Sequence, residues 1–344
     1  MPAKGEVIRR HSLVLFFVCI VVVIALWGSD RVARSSPTTV NTLSLALDWT
    51  PNTNHTGIYV ALSKGWYKDA GLNLKVLPYS SSVTPDQLVA AGKADLGISS
   101  TEQVVADAGA AAPVVSIAAI VAHNTSVLAV TKASGITSPK QLDGKIYGGF
   151  GSPFETPEIS AVLRHAGGTG NFVNVTLGVD PIEALRTNQV NFVWVFSGWE
   201  VIQARLEGLA LTTFPISNYG VPDYSTPNII SSATTITSKS ALIQKFMDAT
   251  VRGYDYARSY PAQAAQILLG SVPPGTFPNP NLVKQSQAYL SSHYQDPGKP
   301  WGVQTAASWQ NYTTFMLNNH GVFDASGRAI TALNAKTLYT NKFL

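Results

Sequence analysis

A cadence of short apolar strands and amphipathic helices runs once along this chain, stops, and then starts again. Residues 43–47 alternate like the end of a strand, and residues 55–65 follow at helical spacing through Ile58, Val60, Ala61 and Leu62, with Gly65 closing the helix. The pattern continues as a strand at Leu72–Leu77, a helix at 85–91 closed by Gly92, a strand at 94–98, a helix at 100–108 ending at Gly109, and a strand at 114–121. Alternation of this kind predicts a parallel, wound sheet. After Thr131 it restarts. Residues 139–142 form a helical turn, 145–147 a strand and Glu155–His165 a helix stopped by Gly167-Gly168, and 173–177, 181–187, 191–196 and 199–206 repeat the sequence of elements. Asn228–Ser232 reads as a strand returning to the first unit. From Lys239 the chain is mostly helical (239–259, 261–269, 280–292, 306–318), with Pro/Gly-rich breaks at 272–280 and 296–302. The expected fold class is therefore α/β, with two wound lobes. Lobe 1 comprises 42–130 plus 228–344, lobe 2 is 131–227 inserted into it, and a ligand cleft lies where they meet.

The N-terminus sets the compartment. Residues 1–34 form a signal or anchor segment in which Lys4, Arg9 and Arg10 precede fifteen apolar residues at 13–27. As a helix that run spans about 23 Å, short of the roughly 30 Å of a bilayer core. Ala25-Leu26-Trp27 is a poor small-x-small cleavage site, which favours an uncleaved hydrophobic helix tethering the body to the membrane, and the positive flank keeps the body outside. Residues 35–41 (SSPTTVN) make a polar spacer. The formal charge of +4 is concentrated at this end. Five of the 24 basic and two of the 20 acidic residues fall within the first 34, so the rest carries 19 positive and 18 negative groups and no field that would hold nucleic acid. The lone cysteine, Cys19, lies in the apolar run, so no disulfide framework or thiolate metal site can be built.

Specificity enters at Asp48-Trp49-Thr50-Pro51-Asn52-Thr53-Asn54-His55-Thr56-Gly57. With Lys64-Gly65-Trp66-Tyr67, Ala91-Gly92-Lys93-Ala94-Asp95, Gly148-Gly149-Phe150-Gly151-Ser152-Pro153-Phe154-Glu155 and Ser197-Gly198-Trp199-Glu200, this run resembles the thiamine-pyrimidine-precursor family of ABC-importer substrate-binding proteins, over about residues 42–320. The resemblance implies a type II periplasmic-binding fold and an extracytoplasmic body that hands a small heteroaromatic solute to permease subunits, with no cofactor. The solute implied is a thiamine pyrimidine precursor such as hydroxymethylpyrimidine or formylaminopyrimidine, with riboflavin as the alternative. It also implies that Glu155 is an acid that meets the ligand.

Read by their chemistry, Asp48-Trp49 sit just past a strand's carboxyl end, where wound sheets place ligands. Trp49 either stacks on a flat ring or fills the space between strand and helix. Asn52 and His55 either address a polar ring edge or make turn and capping bonds. Asp48 is expected to be a structural acceptor. Ser99 and Ser100 follow a strand with free hydroxyls. Glu155 opens a helix after a Gly-rich turn, and either accepts from a ring amine or only favours the helix N-terminus. Phe196 and Trp199 lie nearest the turn after the strand at 191–196, and Tyr224 sits in a Pro-flanked loop from which it can close over a ligand.

Enzyme readings lack their groups. The yeast-type pyrimidine-phosphate synthase relatives carry a Lys, a His and a Cys-rich motif, where this chain has Ser99, Gln103 and Thr226-Pro227-Asn228-Ile229-Ile230. The chain has no Gly-x-Ser-x-Gly elbow, no Walker spacing and no His-x-x-x-His pair. A tethered signalling sensor lacks an output module before the apolar run.

Overall fold

The computed structural model describes residues 41–344. The signal or anchor segment, Cys19 and the spacer up to Val40 lie outside the described residues, and Asn41, assigned above to the spacer, opens the first strand. Among the described residues no helix is long and apolar enough to cross a membrane.

The first unit runs β1 (Asn41–Ala46), α1 (Thr56–Ser63), α2 (Trp66–Asp69), β2 (Leu72–Leu77), α3 (Pro85–Ala90), β3 (Leu96–Ser99), α4 (Thr101–Gly109) and β4 (Val114–Ala119). The second runs β5 (Ser126–Thr131), β6 (Ile146–Gly149), α5 (Glu155–His165), β7 (Val173–Thr176), α6 (Pro181–Arg186), β8 (Phe192–Phe196), α7 (Glu200–Leu206) and β9 (Leu211–Pro215). The chain returns through β10 (Asn228–Ser232) to α8 (Ala233–Ser238), α9 (Ser240–Ser259), α10 (Pro261–Ser271), α11 (Pro280–Leu290) and α12 (Ala306–Asn318).

These strands form two five-stranded sheets, ordered β2-β1-β3-β10-β4 and β7-β6-β8-β5-β9. Neither is wholly parallel as the alternation had suggested. β10 runs antiparallel between β3 and β4, and β5 runs antiparallel between β8 and β9. The fourth place in each sheet is thus taken by a strand entering from the opposite direction. β9 was not anticipated, and its half-buried residues carry little periodic signal. Because β5 belongs to the second sheet, the first crossing falls at residues 120–125 and not at the 130/131 boundary. Residues 127–131 and 228–232 are ladder-bonded strands, and the connecting segments are 120–125 and 216–227.

Strand alternation distributes the core. Leu43, Leu45, Leu96, Ile98 and Ile229 face one side of the first sheet and pack with Ile58, Phe246, Met247 and Tyr254. Val127, Ala129, Val193 and Val195 do the same for the second sheet against Ala184 and Leu185. The remaining faces join through one apolar cluster that holds Val104, Ile230, Leu128, Phe154, Trp194 and Tyr312, so it reaches both sheets. α1 lies tightly on α9 because both contribute glycine at the crossing. A Cβ on Gly253 would sit 1.9 Å from the Gly57 carbonyl oxygen, and one on Gly57 would sit 2.4 Å from the Tyr254 ring. This contact holds the loop before α1, which carries Trp49 and His55, against the C-terminal helices.

Candidate functional site

The carboxyl ends of β1 and β3 in one sheet, and of β6 and β8 in the other, are tied together on two sides. Ser286 of α11 is fully buried. Its hydroxyl bonds Thr53, in the loop after β1, at 2.5 Å and donates to the carbonyl of Gly198, in the turn after β8. Tyr224, in the second crossing, donates to Glu102 of α4 at 2.6 Å and lies 3.4 Å from Glu158 of α5. The first tie thus joins the loops after β1 and β8, and the second joins α4, the second crossing and α5.

Six of the nine side chains expected to meet a ligand spend their polar atoms on the protein itself. His55 is fully buried: its Nδ1 accepts the Asn52 N–H at 3.2 Å, so the ring hydrogen sits on Nε2 and faces Asp48 Oδ1 at 2.8 Å. Asp48 is thus a structural acceptor, though for a ring N–H rather than for backbone. Asn52 caps the short turn Thr53–His55, accepting the Asn54 N–H at 2.9 Å while its amide donates to the Thr50 carbonyl. Asn52 and His55 together make a capping box with His at the position usually held by Glu or Gln, which is why local sequence left both roles open. Ser99 is buried and donates to Asp86 at 2.5 Å, and Ser100 caps α4 by accepting the Gln103 N–H. Tyr224 is buried in the bonds just given, its ring 4.2 Å from that of Tyr312.

Glu155 is the sixth. Its carboxylate turns back into the Gly-rich loop, taking the Tyr147 hydroxyl at 2.6 Å, the Phe150 N–H at 2.9 Å and the Ser152 N–H at 2.5 Å. Burial raises its pKa, opposed by the Tyr147 hydroxyl and these backbone bonds. Gly149 is obligatory, since a Cβ there would lie 2.2 Å from the Glu155 carboxyl oxygen. In this geometry the carboxylate braces the loop, with both oxygens accepting from the protein.

Trp49 remains open, 49% exposed, its ring 4.7 Å from that of Tyr79. Phe150, just past β6, is 50% exposed and lies outside the apolar clusters of the described residues. Phe196 is half-buried at the end of β8. Trp199 instead packs on Phe277, in a cluster with Leu268 and Val283, so it contributes to lobe contact.

Sequence reasoning missed Glu200. It opens α7 as Glu155 opens α5, but only its Oε2 takes a bond from another residue among those described, the Phe196 N–H at 2.9 Å. Burial pushes its carboxyl up to about 7, opposed by that N–H. Tyr289 was missed as well. It packs against Gly198, its hydroxyl bonds Ser197, and its ring stacks at 4.1 Å on His293. Its distance from the loop in sequence, about 90 residues, gave no local signal.

An interlobe cavity of about 410 Å³ lies between α4 and the 150–154 loop, lined by Gln103, Asp107, Pro153 and Phe323, and none of the nine expected residues lines it.

Residues 52–264 match the family described as NMT1/THI5 like. The chain belongs to this family. It is 26% identical over 283 residues to the formylaminopyrimidine-binding protein of Halalkalibacterium halodurans, covering 80% of this chain and 85% of the relative. It is 23% identical over 300 residues to a 4-amino-5-hydroxymethyl-2-methylpyrimidine phosphate synthase of Aspergillus parasiticus, covering 80% and 87%. In structure it is similar to the periplasmic aliphatic sulphonate binding protein of Escherichia coli, with a TM-score of 0.61, 15% identity and coverage of 86% and 93%. The fold is that of the periplasmic binding proteins, and the relatives include both a binding protein and synthases.

Proposed function

We propose that this member of the NMT1/THI5-like family is the solute-binding component of an ABC importer. In this reading it grips a thiamine pyrimidine precursor, of the hydroxymethylpyrimidine or formylaminopyrimidine class, between its lobes. The reading is carried by a half-exposed Trp49 just past β1 and by Glu200 at the start of α7, whose Oε1 takes no bond from another residue among those described. A pyrimidine stacked on indole gains about 0.5–1.5 kcal/mol beyond burial. A ring amine donating to the spare Glu200 oxygen adds about 1.5–3 kcal/mol. Phe196 and Phe150 supply further apolar surface on the second lobe. The relative that binds formylaminopyrimidine, aligned over most of both chains, supports the same solute class.

Binding without bond-making suits the residues present. Ser99 and Gln103, which stand where the synthases carry Lys and His, are engaged with Asp86 and Asp107. The body is placed outside the cell membrane, tethered or released by its N-terminal segment, where a permease receives the solute.

A thermal-shift panel of hydroxymethylpyrimidine, formylaminopyrimidine, riboflavin, taurine and nitrate tests the proposal. It expects a raised midpoint with a pyrimidine. A rise with riboflavin alone would move the solute to the larger ring, and a rise with taurine or nitrate alone would remove the aromatic reading.

A further inference from the structure

Two carboxylic acids from opposite lobes meet in a sealed space that holds fewer hydroxyl hydrogens than they need. Glu102 of lobe 1 and Glu158 of lobe 2 are both buried. Tyr224 donates to Glu102 Oε1 at 2.6 Å, and Thr226 donates to Glu102 Oε2 at 3.2 Å. Tyr312 of α12 donates to Glu158 Oε2 at 2.6 Å. The remaining Glu158 oxygen, Oε1, lies 3.4 Å from the Tyr224 hydroxyl, whose single hydrogen already serves Glu102. With both acids ionised the one Tyr224 hydrogen cannot serve both oxygens; a proton on Glu158 Oε1, donated to the Tyr224 oxygen, completes the chain of contacts. No Lys, Arg or His forms an ion pair with either acid among the described residues.

We propose that Glu158 is a positioning residue: its proton, relayed through Tyr224 to Glu102, latches the two lobes at the spacing the binding site needs, and loss of that proton parts them. The inference rests on reading the body as a hinged binder, but not on the identity of the solute. Four elements besides α5 face Glu158. They present Glu102 from α4, Tyr224 from the crossing, Tyr312 from α12 and Tyr147 from β6, so every titratable neighbour is neutral or negative. On α5 itself, Glu155 turns its charge into the 149–152 loop. Burial first, and then the Glu102 charge, hold the Glu158 carboxyl well above the usual range; burial also raises Glu102, opposed by its hydroxyl donors. The sign follows. With Glu158 neutral the latch is intact, and as pH rises through its raised pKa two anions face one phenolic hydrogen across the lobe boundary.

The test is the interlobe distance in the solute-free, full-length protein in detergent micelles. Spin labels go on Lys75→Cys and Lys140→Cys in a Cys19→Ser background, and the distance is read between pH 5 and pH 9.5. The expected result is a lengthening of more than about 2 Å as pH rises. That response should be absent in Glu158→Gln and in Glu102→Gln, either of which removes the second charge. It should survive in Tyr312→Phe, which keeps both acids. Two variants carry the conclusion, so one that fails to fold leaves the other decisive. An invariant distance in the parent protein overturns the proposal. So does a lengthening that persists in the Gln variants, which would assign the response to His123. That histidine is held between Asp223 and Asp296 beside the crossings and is raised by its bond to Asp223. Because no solute is present, failure here and failure of the solute panel are separate results.

Discussion

His55→Ala separates a brace from a ligand contact. Three losses follow from the geometry. The imidazole is fully buried, so its removal leaves a hole behind the loop that carries Trp49. Its Nε2 bond to Asp48 is to a charged acceptor, which puts it at about 1.5–3 kcal/mol, and the 30% exposure of the Asp48 side chain argues for the lower end. The Asn52 N–H then lacks its acceptor in a buried position, adding about 1–2 kcal/mol. Together with the lost packing, the expected destabilisation is about 3–5 kcal/mol. At about 2 °C per kcal/mol for a body of this size, the melting midpoint falls by about 6–10 °C. Differential scanning calorimetry with and without the solute reads both quantities. Asp48→Asn keeps an acceptor in place and should cost much less. A His55→Ala protein that melts within 2 °C of the parent (~1 kcal/mol) but binds tenfold more weakly would refute the reasoning and return His55 to the site.

Three further outcomes are expected. Trp49→Ala weakens solute binding about tenfold by fluorescence or calorimetric titration, one decade being roughly 1.4 kcal/mol, and barely moves the melting midpoint, because the ring is half in solvent. Glu200→Gln changes the pH dependence of stability. Burial pushes the folded carboxyl up to about 7 against 4.5 unfolded, so the contribution of this group is full below 4.5 and falls by about 3 kcal/mol as pH rises through 7, and urea unfolding at pH 5 and pH 8 should show a narrower gap in the variant. Gly253→Ala forces α1 from α9, since the new Cβ meets backbone rather than a flexible side chain, and should lower stability by about 3 kcal/mol in denaturant unfolding.

Much of the fold was legible because its signals are local. Helix stops at Gly65 and Gly92, and apolar runs such as Leu72–Leu77, read directly from neighbouring residues. Strand direction and partnership were not. β5 is a good strand by composition, but only its pairing with Phe196 and Pro215 puts it in the second sheet and moves the crossing to 120–125. The site shows the same division. Glu155 and Glu200 follow similar turns and open similar helices, so their sequences do not rank them. What separates them is that, in the space left by Gly149, the Tyr147 hydroxyl and Phe150 N–H take one Glu155 oxygen and the Ser152 N–H takes the other, whereas only one Glu200 oxygen takes a bond from another residue among those described. Tyr224 read as a loop residue able to close over a ligand because its partners, Glu102 and Glu158, lie 122 and 66 residues away.

The account depends on a flat, amine-bearing ring lodging between Trp49 and the Glu200 carboxyl. Calorimetric titration of the purified protein with formylaminopyrimidine reads this directly. One site per chain with Kd between about 1 μM and 1 nM is the predicted result, equivalent to roughly −8 to −12 kcal/mol. No heat with this compound or with hydroxymethylpyrimidine, together with saturable binding of a sulphonate, would contradict it.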